Sequence, residues 1–266
     1  MSRSTRLSRR MASLGGRKAL AAFITAGDPH IDYTVPAMRA LVTGGADIIE
    51  LGVPFSDPEA DGPAIQAASE RALAAGTRFQ DVLDAVARFR ETDDSTPIVL
   101  MGYLNTVLAQ KAFAERAQHA GVDGLIMVNL PPEEAEEFRR DHAGQALDLV
   151  FLVAPTTSEE RIATIASQAS GFLYYVSFKG ITGADRLSVE DVAAKLALIR
   201  RKTDLPVVVG FGVKDGETAR QVVTVADGVA VGTALVRVMA ETTGGVDAVT
   251  AALTARVAEF REAMGH

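Results

Sequence analysis

The chain has 266 residues, 48% of them apolar, and a formal net charge of −7. That composition supports a large core and excludes a disordered chain, and its interspersed acidity makes no general case for nucleic acid or a membrane surface as partner. The absence of cysteine excludes disulfides, thiolate nucleophiles and zinc–thiolate sites and fits a cytoplasmic protein, while no apolar run approaches the roughly 20 residues of a membrane span.

The first ten residues are rich in Arg and Ser, as in a transit peptide. Leu7, Met11 and Leu14 nevertheless fall at helical spacing, and no apolar signal core follows. The expectation is a short amphipathic helix within residues 1–15, covering one end of the fold. A first strand, Ala19–Thr25, is stopped by Ala26-Gly27-Asp28-Pro29, and a helix follows near Tyr33–Val42. The second strand is Asp47–Leu51. Helices are expected over Gly62–Ala75 and, from the spacing of Phe79, Val82, Leu83, Val86 and Phe89, directly after it.

The alternation continues with strand Pro97–Met101, helix Val107–Ala120, strand Gly124–Val128, helix Pro132–His142 and strand Leu149–Val153. Ser158 can cap a helix starting at Glu159. Strand Leu173–Ser177 comes next, and Ser188 with Asp191 makes a capping pair for a helix over Val189–Lys202. Strand Pro206–Gly210, helix Gly216–Val225 and strand Gly228–Val231 follow, and helical patterns at Ala234–Ala240 and Val246–Met264 close the chain. Eight short apolar strands separated by helices imply a buried parallel sheet. Eight such units fit a closed (β/α)₈ TIM barrel better than an open doubly wound sheet, the competing arrangement. With no linker or composition break, residues 1–266 read as a single domain with an extra N-terminal helix.

Barrel enzymes carry their chemistry on the loops after the strands. Three late loops are glycine-rich: Gly180-Ile181-Thr182-Gly183, Gly210-Phe211-Gly212 and Gly232-Thr233, the last opening a helix. Glycine lets backbone N–H groups approach an anion, a helix N-terminus adds partial positive charge, and Thr233 can add a hydroxyl donor. A single such loop could simply end a strand; three on adjacent units point to a phosphate. No Walker-type lysine motif accompanies them, which argues against a nucleoside triphosphate. On the other side, Glu50 ends the second strand in the apolar run Ile48-Ile49-Glu50-Leu51-Gly52. Desolvation there raises a carboxyl pKa and suits it to proton transfer near neutral pH, although a buried ion-pair partner is an equal reading. Asp61 precedes Gly62-Pro63 and, on the residues alone, reads more readily as a helix N-cap than as a catalytic acid. No His/Cys cluster suggests a metal, and no Ser–His pair suggests a serine hydrolase.

With these residues laid out, the chain resembles tryptophan synthase α subunits from about Leu14 to the C-terminal helix. The strongest piece is Glu50-Leu51-Gly52-Val53-Pro54-Phe55-Ser56-Asp57-Pro58, continuing through Ala60-Asp61-Gly62-Pro63 and Ile65-Gln66. Supporting pieces are Phe23 with Ala26-Gly27-Asp28-Pro29, Met101-Gly102-Tyr103, Leu130-Pro131-Pro132-Glu133-Glu134, Gly180-Ile181-Thr182-Gly183 and Val209-Gly210-Phe211-Gly212-Val213. The resemblance implies retro-aldol cleavage of indole-3-glycerol phosphate to indole and D-glyceraldehyde 3-phosphate. It implies Glu50 as the acid–base at indole C3 and Asp61 as the carboxylate facing the indole N–H. Phe23, Leu100, Tyr174 and Phe211 match positions around the indole and glycerol parts. Thr182 and Gly183 match the loop after strand six, and Gly212, Gly232 and Thr233 match the phosphate site, where the family usually has serine in place of Thr233. It implies no cofactor or metal in this chain, and a β subunit carrying pyridoxal phosphate as partner in an αββα assembly. The expected arrangement is two acids at the barrel mouth, facing a glycine-built anion cradle.

Some loops depart from the family pattern. Glu59 stands at a usually apolar position, Asn105-Thr106 replaces Asn-Pro, Asn129 replaces an aspartate, and Phe178-Lys179 replaces a short polar pair. These loops meet the β subunit or close over substrate in the family, so altered partnering competes with plain drift. A stand-alone lyase and a non-catalytic activator of a β subunit are the alternative readings; both acids being present argues against the activator.

Overall fold

Nine short parallel strands form one sheet, ordered β5-β4-β3-β2-β1-β9-β8-β7-β6. They are β1 Ala19–Thr25, β2 Ile48–Gly52, β3 Ile98–Gly102, β4 Gly124–Met127, β5 Asp148–Leu149, β6 Phe151–Val153, β7 Leu173–Val176, β8 Val207–Gly210 and β9 Gly228–Val231. The two ends of this order, β5 and β6, are separated only by Val150 and are halves of one barrel strand. The first half pairs with β4 and the second with β7. The ring therefore closes with eight staves, as the strand count in the sequence requires. The computed structural model describes residues 4–144, 146–177, 188–210 and 212–265.

Strand pleat sorts the residues into two layers. Ala21, Phe23, Ile48, Val99, Met101, Ile126, Tyr174, Val208 and Ala230 share the barrel interior. Their sequence neighbours Ala22, Ile49, Leu51, Leu100, Leu125, Val207 and Val209 pack outward against the helices. Each fully buried aliphatic side chain of this kind contributes roughly 1.5–3 kcal/mol. The registers Phe23↔Glu50 and Glu50↔Val99 set Glu50 level with interior neighbours on both sides. A carboxyl has thus been placed where the pattern calls for an apolar side chain.

The N-terminal helix Arg6–Ser13 plugs the amino-terminal end of the barrel with Leu7, which is fully buried among the interior residues. Thr5 and Ser8 form its capping box. Arg6 pairs with Asp123, which also binds Arg90 at 2.7 Å. Arg10 at 2.9 Å, Arg17 at 2.5 Å and Arg261 converge on the buried Asp47. These pairs tie both chain ends to the end of the barrel opposite the catalytic loops.

Most helices match the sequence reading to within a few residues. Ser158 caps the helix Glu159–Gln168 by accepting from the Arg161 N–H, and Ser188 caps Val189–Arg200 by accepting from the Asp191 N–H. Two expectations are corrected. The stretch 107–120 is not one helix but Leu104–Leu108 and Phe113–Ala120, because Ala112 takes a left-handed conformation (φ 49°) that turns Phe113 onto Phe79. The stretch 132–142 begins as a 3₁₀ turn at Pro132–Glu134. It ends in a π turn over Arg139–Ala143, where the Gly144 N–H reaches the Arg139 carbonyl at 2.8 Å. No helix among the described residues is long and apolar enough to cross a membrane.

Candidate active site at the carboxyl end of the barrel

A cavity of about 310 Å³ opens at the carboxyl ends of the strands. Phe23, Glu50, Met101, Tyr174 and Ala230 line it from the strands, and Ile65 from the helix Pro63–Ala74. Gly212, Val213 and Lys214 line it from the loop after β8; Gly232, Thr233, Ala234 and Arg237 from the turn after β9 and the helix Thr233–Glu241. Glycines make this space. A Cβ at Gly52 would stand 2.6 Å from the Phe23 ring, and one at Gly210 would strike the Tyr174 ring. Gly212 has φ +82°, a conformation side chains disfavour, and it brings the main chain to the cavity wall.

Glu50 is 1% exposed, and its Oε1 has no hydrogen-bond partner among the described residues. Burial alone pushes its pKa from an ordinary 4.5 to about 8. No cation pairs with it among the described residues, so the ion-pair reading left open by the sequence finds no support there. At neutral pH the group holds a proton, yet it can release one at modest cost.

Asp61 sits in the loop between β2 and the helix Pro63–Ala74. That helix is capped at Gly62 without any side-chain bond, so Asp61 is not its N-cap. Its carboxylate instead accepts from the Tyr103 hydroxyl at 3.2 Å, and the same hydroxyl accepts from the Ala60 N–H at 2.9 Å. Tyr103 also stacks on Phe55, ring centroids 5.0 Å apart, and Gln66 donates to the Asp61 carbonyl at 2.9 Å. One tyrosine, directly after β3, thereby holds both sides of the aspartate loop. Burial raises the Asp61 pKa, and the Tyr103 hydrogen bond opposes that rise. Burial first, and then the negative charges that Glu50 and Asp61 carry at the high pH where a phenol ionises, raise the pKa of Tyr174 in the cavity wall.

Of the residues singled out from the sequence, Glu50, Phe23, Tyr174, Gly212, Gly232 and Thr233 share the cavity. Asp61 is not among the residues that line the cavity, and its carboxylate is turned onto Tyr103. Leu100 is a correction. It packs outward in the layer between sheet and helices, and Met101, one residue on, faces the cavity. The pleat decides this, because a one-residue shift in a strand reverses the face. Thr182, Gly183 and Phe211 lie outside the described residues, as do Phe178 and Lys179. Sequence reasoning missed Lys214 and Arg237, which had no motif to mark them. It also gave Tyr103 no role, although Tyr103 lay inside a quoted motif.

The family model for the tryptophan synthase alpha chain matches residues 11–265. The chain belongs to this family. The tryptophan synthase alpha chain of Alkalilimnicola ehrlichii is 54% identical over 97% of this chain and 96% of that one. That of Laribacter hongkongensis is 56% identical, covering 87% and 89% of the two chains. Among solved structures, tryptophan synthase subunit alpha from Legionella pneumophila superposes with a TM-score of 0.88 at 41% identity, over 98% of this chain and 99% of that one. Tryptophan synthase from M. tuberculosis in its aminoacrylate-bound form gives 0.85 at 36% identity, over 98% and 100%. Family members carry out the indole-3-glycerol-phosphate lyase reaction of tryptophan biosynthesis, and the chain is an enzyme of that class.

Proposed function

We propose that Glu50 and Asp61 run the lyase reaction as an acid–base pair of unequal roles. The observation that carries this is a fully buried carboxyl, without a cation partner among the described residues, with a pKa near 8 in the wall of the cavity. Protonated Glu50 gives its proton to indole C3. The ring nitrogen then carries positive charge, which the Asp61 carboxylate stabilises through the N–H. The Glu50 carboxylate so formed takes the proton from the hydroxyl on the glycerol carbon bonded to C3. The C–C bond breaks, its electron pair returns to the ring as indole, and the hydroxyl carbon leaves as the aldehyde of glyceraldehyde 3-phosphate. One proton enters and one leaves through the same carboxyl, so the step balances with acid and base alone, and we assign no cofactor to this chain. A pKa near 8 suits a group that must both give and take, and a positioned acid–base of this kind contributes roughly 10²–10⁴-fold.

Phe23, Met101 and Tyr174 form the walls for the indole ring. Gly212, Gly232 and Thr233 form the phosphate end, where the helix Thr233–Glu241 starts without a side-chain cap. Binding energy at the phosphate is remote from the breaking bond and serves to orient it. The partner we assign is a cytoplasmic tryptophan synthase β subunit carrying pyridoxal phosphate, in an αββα assembly. Leu108, 46% exposed at the end of the helix Leu104–Leu108, and the exposed Glu59 in the loop after β2 are surface positions such a partner could meet. Asn129, a departure from the family pattern, accepts from the Leu104 N–H at 2.7 Å and ties the loops after β3 and β4 together. Purified chain incubated with indole-3-glycerol phosphate should release indole and glyceraldehyde 3-phosphate in equal amounts, faster with a β subunit present. No release under either condition would overturn the assignment.

A further inference from the structure

The cavity has a charge problem that backbone donors do not solve. A phosphate monoester carries about −1.5 to −2 at neutral pH. The chain itself is net negative. Peptide N–H groups and one hydroxyl offer only partial charges against this. Two full cations stand in the same wall. Lys214 lies two residues beyond Gly212 on the β8 loop, and Arg237 lies one turn beyond Thr233 on the helix Thr233–Glu241. Positions four apart share a helix face, so Arg237 rises on the side that Thr233 opens.

Neither Lys214 nor Arg237 forms an ion pair among the described residues. The acid beside Lys214, Asp215, is already bound to the N–H and hydroxyl of Thr218, at 2.8 and 2.6 Å, as the cap of the next helix. Solvated surface cations have no need to line a cavity, yet these two do so from separate elements. The same cavity is lined by the buried Glu50 carboxyl, whose Oε1 has no hydrogen-bond partner among the described residues. One cavity thus brings together a buried acid and two cations.

We propose that Lys214 and Arg237 form a cationic clamp over the phosphate of the substrate, adding charge to the glycine cradle and selecting phosphorylated over unphosphorylated glycerol side chains. This rests on the reading of the cavity as the indole-3-glycerol-phosphate site. Lys214 supplies a point charge, and the Arg237 guanidinium offers two parallel donors to one phosphate. Both are positioning residues; neither touches the breaking bond.

The test is the double variant K214A/R237A, with K214R/R237K as the charge-keeping control. Four quantities are measured: KM and kcat for indole-3-glycerol phosphate, the rate on unphosphorylated indole-3-glycerol, and the Kd of inorganic phosphate by calorimetry. The clamp predicts a KM at least tenfold higher in the alanine double variant, with kcat within about twofold. The phosphate Kd rises in parallel, the rate on indole-3-glycerol is unchanged, and the control recovers most of the affinity. A KM change below tenfold overturns the clamp, as does an equal loss on both substrates. Should the unaltered chain fail to cleave indole-3-glycerol phosphate, the underlying site assignment falls instead; a phosphate Kd that still weakens in the double variant would then leave the clamp standing as an anion site.

Discussion

Replacing Glu50 with Gln removes an ionisable group without changing its shape, and the buried carboxyl gives this a consequence for stability as well as for rate. In the folded chain the pKa is about 8, and an exposed glutamate titrates near 4.5. The folded state therefore holds the proton more tightly, and stability is lost as pH rises from 4.5 towards 8. Each pKa unit is worth about 1.4 kcal/mol, so the cost of Glu50 is about 1 kcal/mol at pH 5, about 3 at pH 7 and close to 5 at pH 9. Gln cannot ionise and escapes this cost at every pH, and whatever its amide loses by burial does not vary over the range. Urea unfolding of the native chain and Glu50→Gln at pH 5, 7 and 9 should show the difference moving in favour of the variant by roughly 2 kcal/mol between pH 5 and 7, and by another 1–2 by pH 9. At about 2 °C per kcal/mol for a chain of this size, the same trend is visible in melting temperatures. A constant difference across that range would refute a raised folded-state pKa, and with it the claim that Glu50 enters the reaction protonated.

Other residues give separate tests. Tyr103→Phe removes a hydrogen bond that favours ionised Asp61, so the acid limb of the kcat/KM profile should move to higher pH, with about 1 kcal/mol lost in stability; an unmoved limb would release Tyr103 from its positioning role. Thr233→Ala should raise KM several-fold and leave kcat nearly intact, and a fall in kcat alone would contradict its place at the phosphate end. Leu100→Ala should cost about 2–5 kcal/mol of stability with little change in KM, whereas Met101→Ala should raise KM for the indole substrate. The reverse pattern would mean that the strand faces have been assigned the wrong way round.

The eight-stave barrel was legible because its strands are short apolar runs bounded by Gly and Pro, and because the helices between them carry clear helical spacing. Glu50 was legible as an acid in an apolar strand, but its ionic state was not. Choosing between an ion-pair partner and a free acid required knowing that no described cation reaches it. Asp61 looked like a helix cap because Pro63 follows it, and only the contact with Tyr103, 42 residues away, shows where the carboxylate goes. Leu100 was placed one position off because family likeness fixes a neighbourhood while strand pleat fixes a face. Lys214 and Arg237 were invisible for a different reason. Each is an ordinary surface cation in its own segment, and only closure of the barrel sets the β8 loop beside the helix after β9.

The claim on which the mechanism rests is that a single carboxyl both delivers and recovers the proton. Its most direct test is single-turnover cleavage of indole-3-glycerol phosphate by Glu50→Gln, with the fold checked by circular dichroism and substrate binding by competition with inorganic phosphate. The mechanism predicts a rate reduced by roughly 10²–10⁴-fold while the fold and phosphate affinity are kept. Cleavage within tenfold of the native rate in a folded, substrate-binding variant would contradict it.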